Sequence, residues 1–458
     1  MNKRRVLKIT PILITLNILV LFVIISFYTF RLIKYYKLEH ANKGEGATLL
    51  VDDIKKKRSY LDETKGLVFY EEDNSYIYKG EVEDNYLSYS GLIYRIIGID
   101  KDNNIRAVSE ENVTLMYSGF EKGYKDSYVN KWLNASDEKY SGVFENTLVN
   151  SKSILAKTYL CSDVVDDMEN ITCKDNKNEN KIALLSLYDY KEAGGKSSFL
   201  NNGNTFNLGT LNKDFNDYYV TEDGDIALQQ KQNRAILIRP VITIDSGCEK
   251  ISGDGTKNKP YVIEKHDIKT LGDAYVGSYI ILKDGNYRII NILENSVLIA
   301  KSGVLMNEDE SKMSIKFGGT DNIYNTSTGV GKYLNNTYLD SFELKDSTVK
   351  GEFYVGVINL NSSDYSLLKE KSVKAKVGML TMGDMFVNAN NNVLTTFRGI
   401  EAPNIIYAIS ESGAFFGDTI SSKYNVSPAV YVKDDLKITA GSGTIDKPFE
   451  IGVESEGK

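Results

Sequence analysis

Three cysteines are the residues of this chain whose type and spacing most directly imply chemistry. Cys161 and Cys173 enclose the acidic stretch CSDVVDDMENITC, a spacing unlike the CxxC of metal sites. The spacing permits a local disulfide, which stabilises a loop of this length by about 3 kcal/mol in the chain-entropy model. We predict that Cys161 and Cys173 pair and that Cys248 stays free or pairs only occasionally. The alternative is three unrelated thiols.

Histidine is scarce, which limits the catalytic sites that the chain can build. His40 lies in a charged stretch near the N-terminus and His266 in the stretch EKHDIKT, and there are no others. A Ser-His-Asp triad, a Cys-His pair and a histidine zinc site are therefore not expected. Paired carboxylates remain an option for hydrolysis, although no Asp or Glu is singled out by its position. We assign no catalytic residue, cofactor or metal ligand.

One stretch mimics a calcium-binding loop. In the sequence DKDNNIRAVSEE, the EF-hand positions 1, 3, 5 and 12 are filled by Asp100, Asp102, Asn104 and Glu111. The glycine required at position 6 is replaced by Ile105, and the surrounding pattern is that of two short strands. We therefore predict a solvated hairpin turn here and no calcium site.

The charge distribution separates a basic N-terminus from an acidic remainder. The formal net charge is −7, and residues 1–37 carry seven basic and no acidic residues, so the remaining chain carries −14. A surface this acidic repels phosphate backbones, so we expect no nucleic-acid binding.

An apolar segment near the N-terminus predicts a membrane anchor. Ile9–Phe30 contains 22 residues without a charge, which as a helix would span roughly 33 Å and cross a bilayer. The basic residues flanking it are balanced in number, so the cluster Lys3–Arg5 decides the orientation and favours an N-terminus inside. We predict a cytoplasmic tail and transmembrane helix at 1–34, a charged stalk at 35–65, and the bulk of the chain outside the cell membrane.

The remaining chain contains an internal sequence repeat. The stretch GDGTKNKPYVIE at Gly253 is nearly repeated as GSGTIDKPFEIG at Gly441. Four further pairs occur in the same order, namely YLSYSGLIYRII with YIILKDGNYRII, KWLN with KYLN, KIALLSLYDY with KVGMLTMGDM, and RPVITI with SPAVYV. The sequence therefore predicts two tandem modules, 66–265 and 266–458.

Each module reads as strand-rich α+β, with one long helix expected at Phe144–Leu160. Several repeated residues have structural interpretations. Trp132 and Tyr333 are predicted to anchor a helix in the core, and Arg95 and Arg288 to point from a strand to a polar face. Pro240 and Pro428 indicate an edge strand or a bulge. The glycines of the repeated stretch favour a tight turn before the last strand of each module: Gly253, Gly255, Gly441 and Gly443.

The order Y-R-I-I, W-L-N, L-L-S, R-P-V resembles an uncharacterised domain of Gram-positive surface proteins, which is similar to the C-type-lectin-like fold of formylglycine-generating enzymes. The resemblance implies two tandem C-type-lectin-like modules. The second copy departs from it, with Tyr333 for Trp132 and Ser427 for Arg239. That copy also lacks cysteine, so the cysteine-dependent chemistry of the enzymes is not expected here.

These observations favour a membrane-anchored extracellular protein that recognises a glycan, a peptide or an envelope partner without catalysis. The 31 tyrosines suit contact surfaces. Two alternatives remain, an extracellular hydrolase that uses paired carboxylates and a structural spacer in an envelope assembly.

Overall fold

A computed structural model describes residues 48–452 with internal gaps. The gaps are residues 117–122, 135–143, 162–163, 174, 178–179, 230–235, 321–322, 355–356, 359–371, 382, 385, 387–392, 400–403 and 410–414. The predicted tail and membrane span at 1–34 lie outside the described residues. Within the described ranges, no helix is long and apolar enough to cross a membrane.

Short strands dominate the first half of the described chain. They are β1 (Gly66–Tyr70), β2 (Ser75–Lys79), β3 (Tyr86–Tyr89), β4 (Leu92–Ile99), β5 (Ile105–Ser109), β6 (Thr114–Met116), β7 (Tyr159–Cys161), β8 (Asp175–Lys177), β9 (Ile182–Leu184), β10 (Phe206–Leu211), β11 (Asp217–Val220), β12 (Ile226–Gln229), β13 (Ile236–Ile238), β14 (Pro240–Ile244) and β15 (Tyr261–Val262). The helices are α1 (Leu50–Lys55), α2 (Tyr128–Leu133), α3 (Ser151–Ile154) and α4 (Leu187–Glu192), with 3-10 turns at Phe144–Thr147 and Gly195–Ser197.

The second half has the same character. Its strands are β16 (Tyr279–Leu282), β17 (Gly285–Leu293), β18 (Ser296–Lys301), β19 (Ser314–Lys316), β20 (Gly351–Tyr354), β21 (Val357–Ile358), β22 (Ser372–Ala375), β23 (Val377–Gly378), β24 (Val393–Gly399), β25 (Ile405–Ile409), β26 (Phe415–Thr419), β27 (Lys423–Asn425), β28 (Ala429–Val432), β29 (Ile438–Ala440) and β30 (Phe449–Ile451). A helical run comprises α5 (Gly329–Tyr333), a π turn at Leu334–Tyr338 and α6 (Leu339–Ser341), and 3-10 turns occur at Leu271–Asp273 and Lys345–Ser347. The protein is thus strand-rich α+β.

Two main sheets share one strand order. In the first sheet the path β9-β14-β5-β4-β3-β15 ends on a parallel β3–β15 pair. In the second sheet the path β23-β28-β18-β17-β16-β30 ends on a parallel β16–β30 pair. The first sheet adds β1 and β2 beside β4, and the second adds β29 beside β30. Smaller sheets flank them, namely β10-β11-β12, β13-β6, β7-β8, β20-β22 and the sheet that contains β24–β26.

Apolar, mostly β-branched side chains of the central strands form the core. Ile96 and Ile105 of the first sheet and Ile289 and Val430 of the second are fully buried. Burying a side chain of this size contributes about 1.5–3 kcal/mol, and the pleated backbone suits branched residues. The two sheets belong to one continuous buried cluster.

The predicted stalk at 35–65 differs from the structure where the chain is described. From residue 48 it packs on the first sheet, because α1 places Leu50, Val51 and Ile54 on one buried face. The Leu50 amide also donates to the Cys248 carbonyl at 2.9 Å. The helical spacing of these three apolar residues was the signal that the segment belongs to the fold.

The long helix predicted at Phe144–Leu160 is wrong. The segment instead forms a 3-10 turn, the four-residue α3 and strand β7. Asn150 precedes α3 with a left-handed φ of 53°, which interrupts any continuous helix. Tyr159–Cys161 then pairs with β8, so cross-strand hydrogen bonds replace helical ones.

Two predictions about strand residues are also wrong. Arg95 does not face solvent: it is 4% exposed, donates to Asn85 Oδ1 and the Val82 carbonyl, and its guanidinium lies 3.9 Å from the centre of the Tyr86 ring. Arg288 is likewise largely buried, with 17% of its side chain exposed.

The prolines do not mark edge strands. Pro240 is the first residue of β14 and Pro428 directly precedes β28, and both strands are central. A strand's first position tolerates proline because the missing N–H costs no ladder hydrogen bond there.

Candidate functional site

A cleft of about 450 Å³ opens beside the first sheet. Its walls are the β1–β2 turn, the β4–β5 turn, the start of β7 and the Cys161–Cys173 disulfide. An inner compartment of about 70 Å³ adjoins it and reaches the N-terminus of α4. The residues shared by both compartments are Asp73, Ser75, Tyr159 and Cys173. The outer volume suits a small ligand or one long side chain.

A buried ion pair forms the floor of the inner compartment. Arg106 on β5 donates two hydrogen bonds to the Asp189 carboxylate of α4, at 2.7 and 3.0 Å. Asp189 also accepts from the Ser186 amide and hydroxyl in a capping box that begins α4. Burial alone would raise the pKa of Asp189, but Arg106 and the Ser186 hydrogen bonds hold that pKa below its usual range.

Tyrosines cover this pair and line the inner wall. The Arg106 guanidinium lies 4.1 Å from the centre of the Tyr159 ring, and its Nη1 donates to the Tyr159 hydroxyl at 3.3 Å. The Tyr70 hydroxyl donates to Glu192 Oε2 at 2.8 Å, and Tyr188 also lines the compartment. Burial, with the nearby carboxylates, raises the pKa of Tyr188 to about 12. These phenols therefore stay neutral and offer hydrogen bonds and ring faces.

The rim of the cleft is charged, with one more acidic than basic residue. Asp73, Asp100 and Asp102 line it together with Lys101 and Lys157. The EF-hand-like stretch is the β4–β5 turn, in which Asp100 accepts hydrogen bonds from the amides of Asp102 and Asn104. Burial raises the pKa of Asp100 despite these hydrogen bonds. Asp100 therefore orders the turn, whereas Asp73 and Asp102 are exposed to solvent.

The disulfide forms one wall of the cleft. Cys161 and Cys173 are bonded with an S–S distance of 2.00 Å, and Cys173 lines both compartments. Cys248 is free and half-buried, and burial raises the pKa of its thiol to about 11. The disulfide therefore fixes one wall of the cleft, in addition to limiting loop entropy.

Among the described residues of the second sheet, no ion pair matches that of Arg106 and Asp189. In the aligned segments KIALLSLYDY and KVGMLTMGDM, Asp384 is the counterpart of Asp189, and Thr381 donates to it as Ser186 does to Asp189. The strand register puts Leu298 where Arg106 stands, because Leu298 pairs with Tyr431 and Arg106 with Thr243. Burial without such a partner raises the pKa of Asp384 to about 6.

The segment around Asp384 contacts the first half of the chain instead. The Gly383 amide donates to the Leu115 carbonyl at 3.2 Å, and the Thr114 hydroxyl donates to the Asp384 carbonyl at 2.7 Å. Arg288 lies over the Phe386 ring at 3.4 Å and pairs with Glu111 at 3.5 Å. This loop is therefore part of the junction between the two sheets.

The repeated W/Y-L-N motif ties a helix to an edge strand of each main sheet. Asn134 accepts from the Ile182 amide and donates to the Ile182 carbonyl, and Asn335 makes the same two bonds with Val377. Trp132 is fully buried and stacks on Phe144, with ring centres 6.0 Å apart. Tyr333 is only partly buried and packs against the core.

Arg239 and Ser427 make the same contact in different ways. Arg239 is fully buried, and its Nε donates to the Ser109 carbonyl at 2.8 Å. Ser427 donates through its hydroxyl to the Lys301 carbonyl at 2.7 Å, and Lys301 is the counterpart of Ser109. Both residues therefore make the same hydrogen bond to the neighbouring strand. Neither of them lines the cleft.

The four glycines of the repeated stretch form closing turns. Gly253 and Gly441 have φ of 88° and 91°, and an added Cβ would lie 2.0 Å from the carbonyl oxygens of Pro260 and Pro448. Gly255 and Gly443 pack against the ring of the following strand's aromatic residue. These residues set the turns that deliver β15 and β30 to their sheets, and they lie away from the cleft.

The sequence-based search missed Arg106, Asp189 and Tyr159. Two signals were present: an arginine inside an apolar strand, and the Ser-x-x-Asp spacing of a capping box in SLYD. Among the described residues, no group of three or more His, Cys, Asp or Glu side chains has the arrangement of a metal site.

Comparisons with known proteins found no matching protein family, no related curated protein and no similar solved structure.

Proposed function

We propose that this chain is a single-pass membrane protein that presents two tandem C-type-lectin-like modules outside the cell and recognises an envelope ligand without catalysis. The common strand order of the two main sheets supports a duplicated module. The uncharged segment Ile9–Phe30 supports the membrane anchor.

The observation that carries the recognition function is the tyrosine-lined cleft of the first sheet. It combines a preformed cavity, neutral phenols and exposed carboxylates with a disulfide in one wall and an ion pair in the floor. The buried Asp189 carboxylate in the floor of the site already accepts hydrogen bonds from Arg106 and Ser186. The Asp189 carboxylate therefore has a structural role, which favours a binding function over acid–base catalysis.

Binding is tested by sedimenting the purified full-length chain with envelope fragments of its own cells. Ser75 lines both compartments, so Ser75→Trp should obstruct the cleft and leave the protein in the supernatant. Ser421→Trp, at an exposed turn of the second half, is the matched control and should sediment as the unchanged chain does. Equal sedimentation of both variants, or no sedimentation of the unchanged chain, would refute the proposal.

Topology is tested on intact cells with a membrane-impermeant thiol reagent. Leu61 is 60% exposed, so Leu61→Cys should be labelled without lysis. The unchanged chain, whose only free thiol is the half-buried Cys248, sets the background. Labelling that appears only after lysis would reverse the proposed orientation.

A further inference from the structure

We propose that the cleft, together with the disulfide-closed loop beside it, binds a basic and partly apolar peptide segment of an envelope protein. This inference rests on the proposed recognition function and names the class of ligand. The two surfaces are adjoining because Cys173, which ends the loop, lines both compartments of the cleft.

The charge of both surfaces favours a cationic ligand. At the rim, the exposed Asp73 and Asp102 face outward, and the Arg106 charge below them is neutralised by Asp189. The loop adds exposed acids at Asp166, Asp167 and Glu169. Lys101 and Lys157 also line the cleft, so its three aspartates exceed its lysines by one and the loop supplies most of the acidic excess. Cationic groups of a ligand would be attracted to the exposed carboxylates of the rim and loop, whereas anionic glycans and nucleic acids would be repelled.

The loop also presents apolar side chains. Val164 and Met168 are 43% and 42% exposed, although the loop is anchored to its surroundings. The Val165 amide donates to the Leu211 carbonyl at 2.8 Å, and Lys191 donates to the Met168 carbonyl. Residues 164–173 of the loop, held by these hydrogen bonds, expose a valine and a methionine beside acids and are suited to cover apolar residues of a peptide.

The cleft has the dimensions and lining for a basic side chain. Its volume of about 450 Å³ accommodates a lysine or arginine side chain. Tyr159 lines this cleft and Tyr188 lines the adjoining 70 Å³ compartment. The Arg106 guanidinium already lies over the Tyr159 ring, and aromatic rings of this kind attract ammonium and guanidinium groups. A neutral sugar would use the tyrosines but not the acidic excess, so a peptide accounts for more of the surface.

The test measures fluorescence anisotropy of labelled peptides with the purified full-length chain. The probes are a hexapeptide that alternates lysine and leucine, its counterpart with glutamate in place of lysine, and a neutral oligomer of N-acetylglucosamine. The lysine peptide should bind, and the glutamate peptide should not. Added salt should weaken the binding because the attraction is between exposed charges.

Matched variants separate this site from general charge effects. Asp73→Asn with Asp102→Asn should weaken the lysine peptide by about tenfold or more. The control pair Glu308→Gln with Asp435→Asn changes the net charge equally at exposed positions elsewhere and should have no effect. Val164→Ser with Met168→Ser should also weaken binding, whereas Leu293→Ser with Met306→Ser, which are 43% and 49% exposed, should not.

The outcomes distinguish this inference from the function on which it rests. Binding of the sugar oligomer but not the lysine peptide would overturn the peptide inference and leave recognition standing. Equal weakening by the control pairs, or no binding of the lysine peptide, would also overturn the inference. Failure of the chain to sediment with envelope fragments would instead refute the proposed function itself.

Discussion

Asp189 and Asp384 occupy matching positions at the two main sheets, and Asp189 pairs with Arg106 where the described part of the second sheet has Leu298. Both accept hydrogen bonds from the residue three positions earlier, Ser186 or Thr381. Arg106 lowers the pKa of Asp189, whereas burial raises the pKa of Asp384 to about 6. The residue on the neighbouring strand, arginine in the first sheet and leucine in the second, thus shifts the pKa values of two equivalent carboxyl groups in opposite directions.

Arg106→Leu should strongly destabilise the protein. The variant leaves the buried Asp189 charge without a partner, a change that typically costs about 3–5 kcal/mol. Adding Asp189→Asn should restore much of the loss, because no charge is then left buried. Urea denaturation followed by the fluorescence of Trp132, the single tryptophan, measures both changes.

The control for that experiment is Lys196→Ala. Lys196 pairs with Asp225 at 3.1 Å, but both side chains are more than half exposed. Such surface pairs contribute about 0–1 kcal/mol. If Arg106→Leu costs no more than Lys196→Ala, the ion pair does not stabilise the cleft floor.

Asp384→Asn should flatten the pH dependence of stability. The folded pKa of Asp384 is about 6 and its reference value is 3.8, so the folded state binds more protons in between. Its contribution to the free energy of unfolding is therefore full below about pH 4, falls as the pH rises to about 6, and is lost above that value. Denaturation midpoints of the unchanged and variant chains between pH 4 and 8 measure the difference.

Asp217 limits how flat that profile becomes. Burial raises its pKa to about 6 as well, so the Asp384→Asn chain should retain part of the slope. Identical profiles for the two chains would show that the Asp384 carboxyl is not perturbed.

The disulfide should appear in peptide mapping without reduction. Cys161 and Cys173 should resist alkylation, and Cys248 should react slowly because burial raises its thiol pKa to about 11. Replacing both paired cysteines with serine should lower the free energy of unfolding by about 2–4 kcal/mol. Alkylation of Cys161 and Cys173 before reduction would contradict this assignment.

Gly253→Ala and Gly441→Ala should each destabilise their closing turn. The added methyl would lie 2.0 Å from a backbone carbonyl oxygen, in a backbone conformation that non-glycine residues rarely adopt. We expect a loss of at least about 1–3 kcal/mol for each. The control is Gly303→Ala, because a Cβ there meets no atom within 4 Å. Equal melting temperatures for all three variants would exclude the steric argument.

The sequence alone determined the local features of this protein. Alternating β-branched residues specify the strands of both sheets, and positive-φ glycines such as Gly253 and Gly441 specify the turns that precede β15 and β30. The spacing of Cys161 and Cys173 also indicates their bond, since only twelve positions separate them. These features depend on backbone conformation and near neighbours, which are visible in a short stretch of sequence.

Only the tertiary structure decided the cleft and the role of its charged residues. Arg106 and Asp189 are 83 positions apart, and the cleft forms where the β1–β2 turn, the β4–β5 turn and the disulfide wall meet. The same applies to Arg95. Its position in the strand pattern predicted a polar face, but neighbouring segments cover its side chain in the folded protein. Whether a charged side chain is buried depends on which distant segment packs over it. The packing of the whole core determines which segment that is, and a short stretch of sequence does not show it.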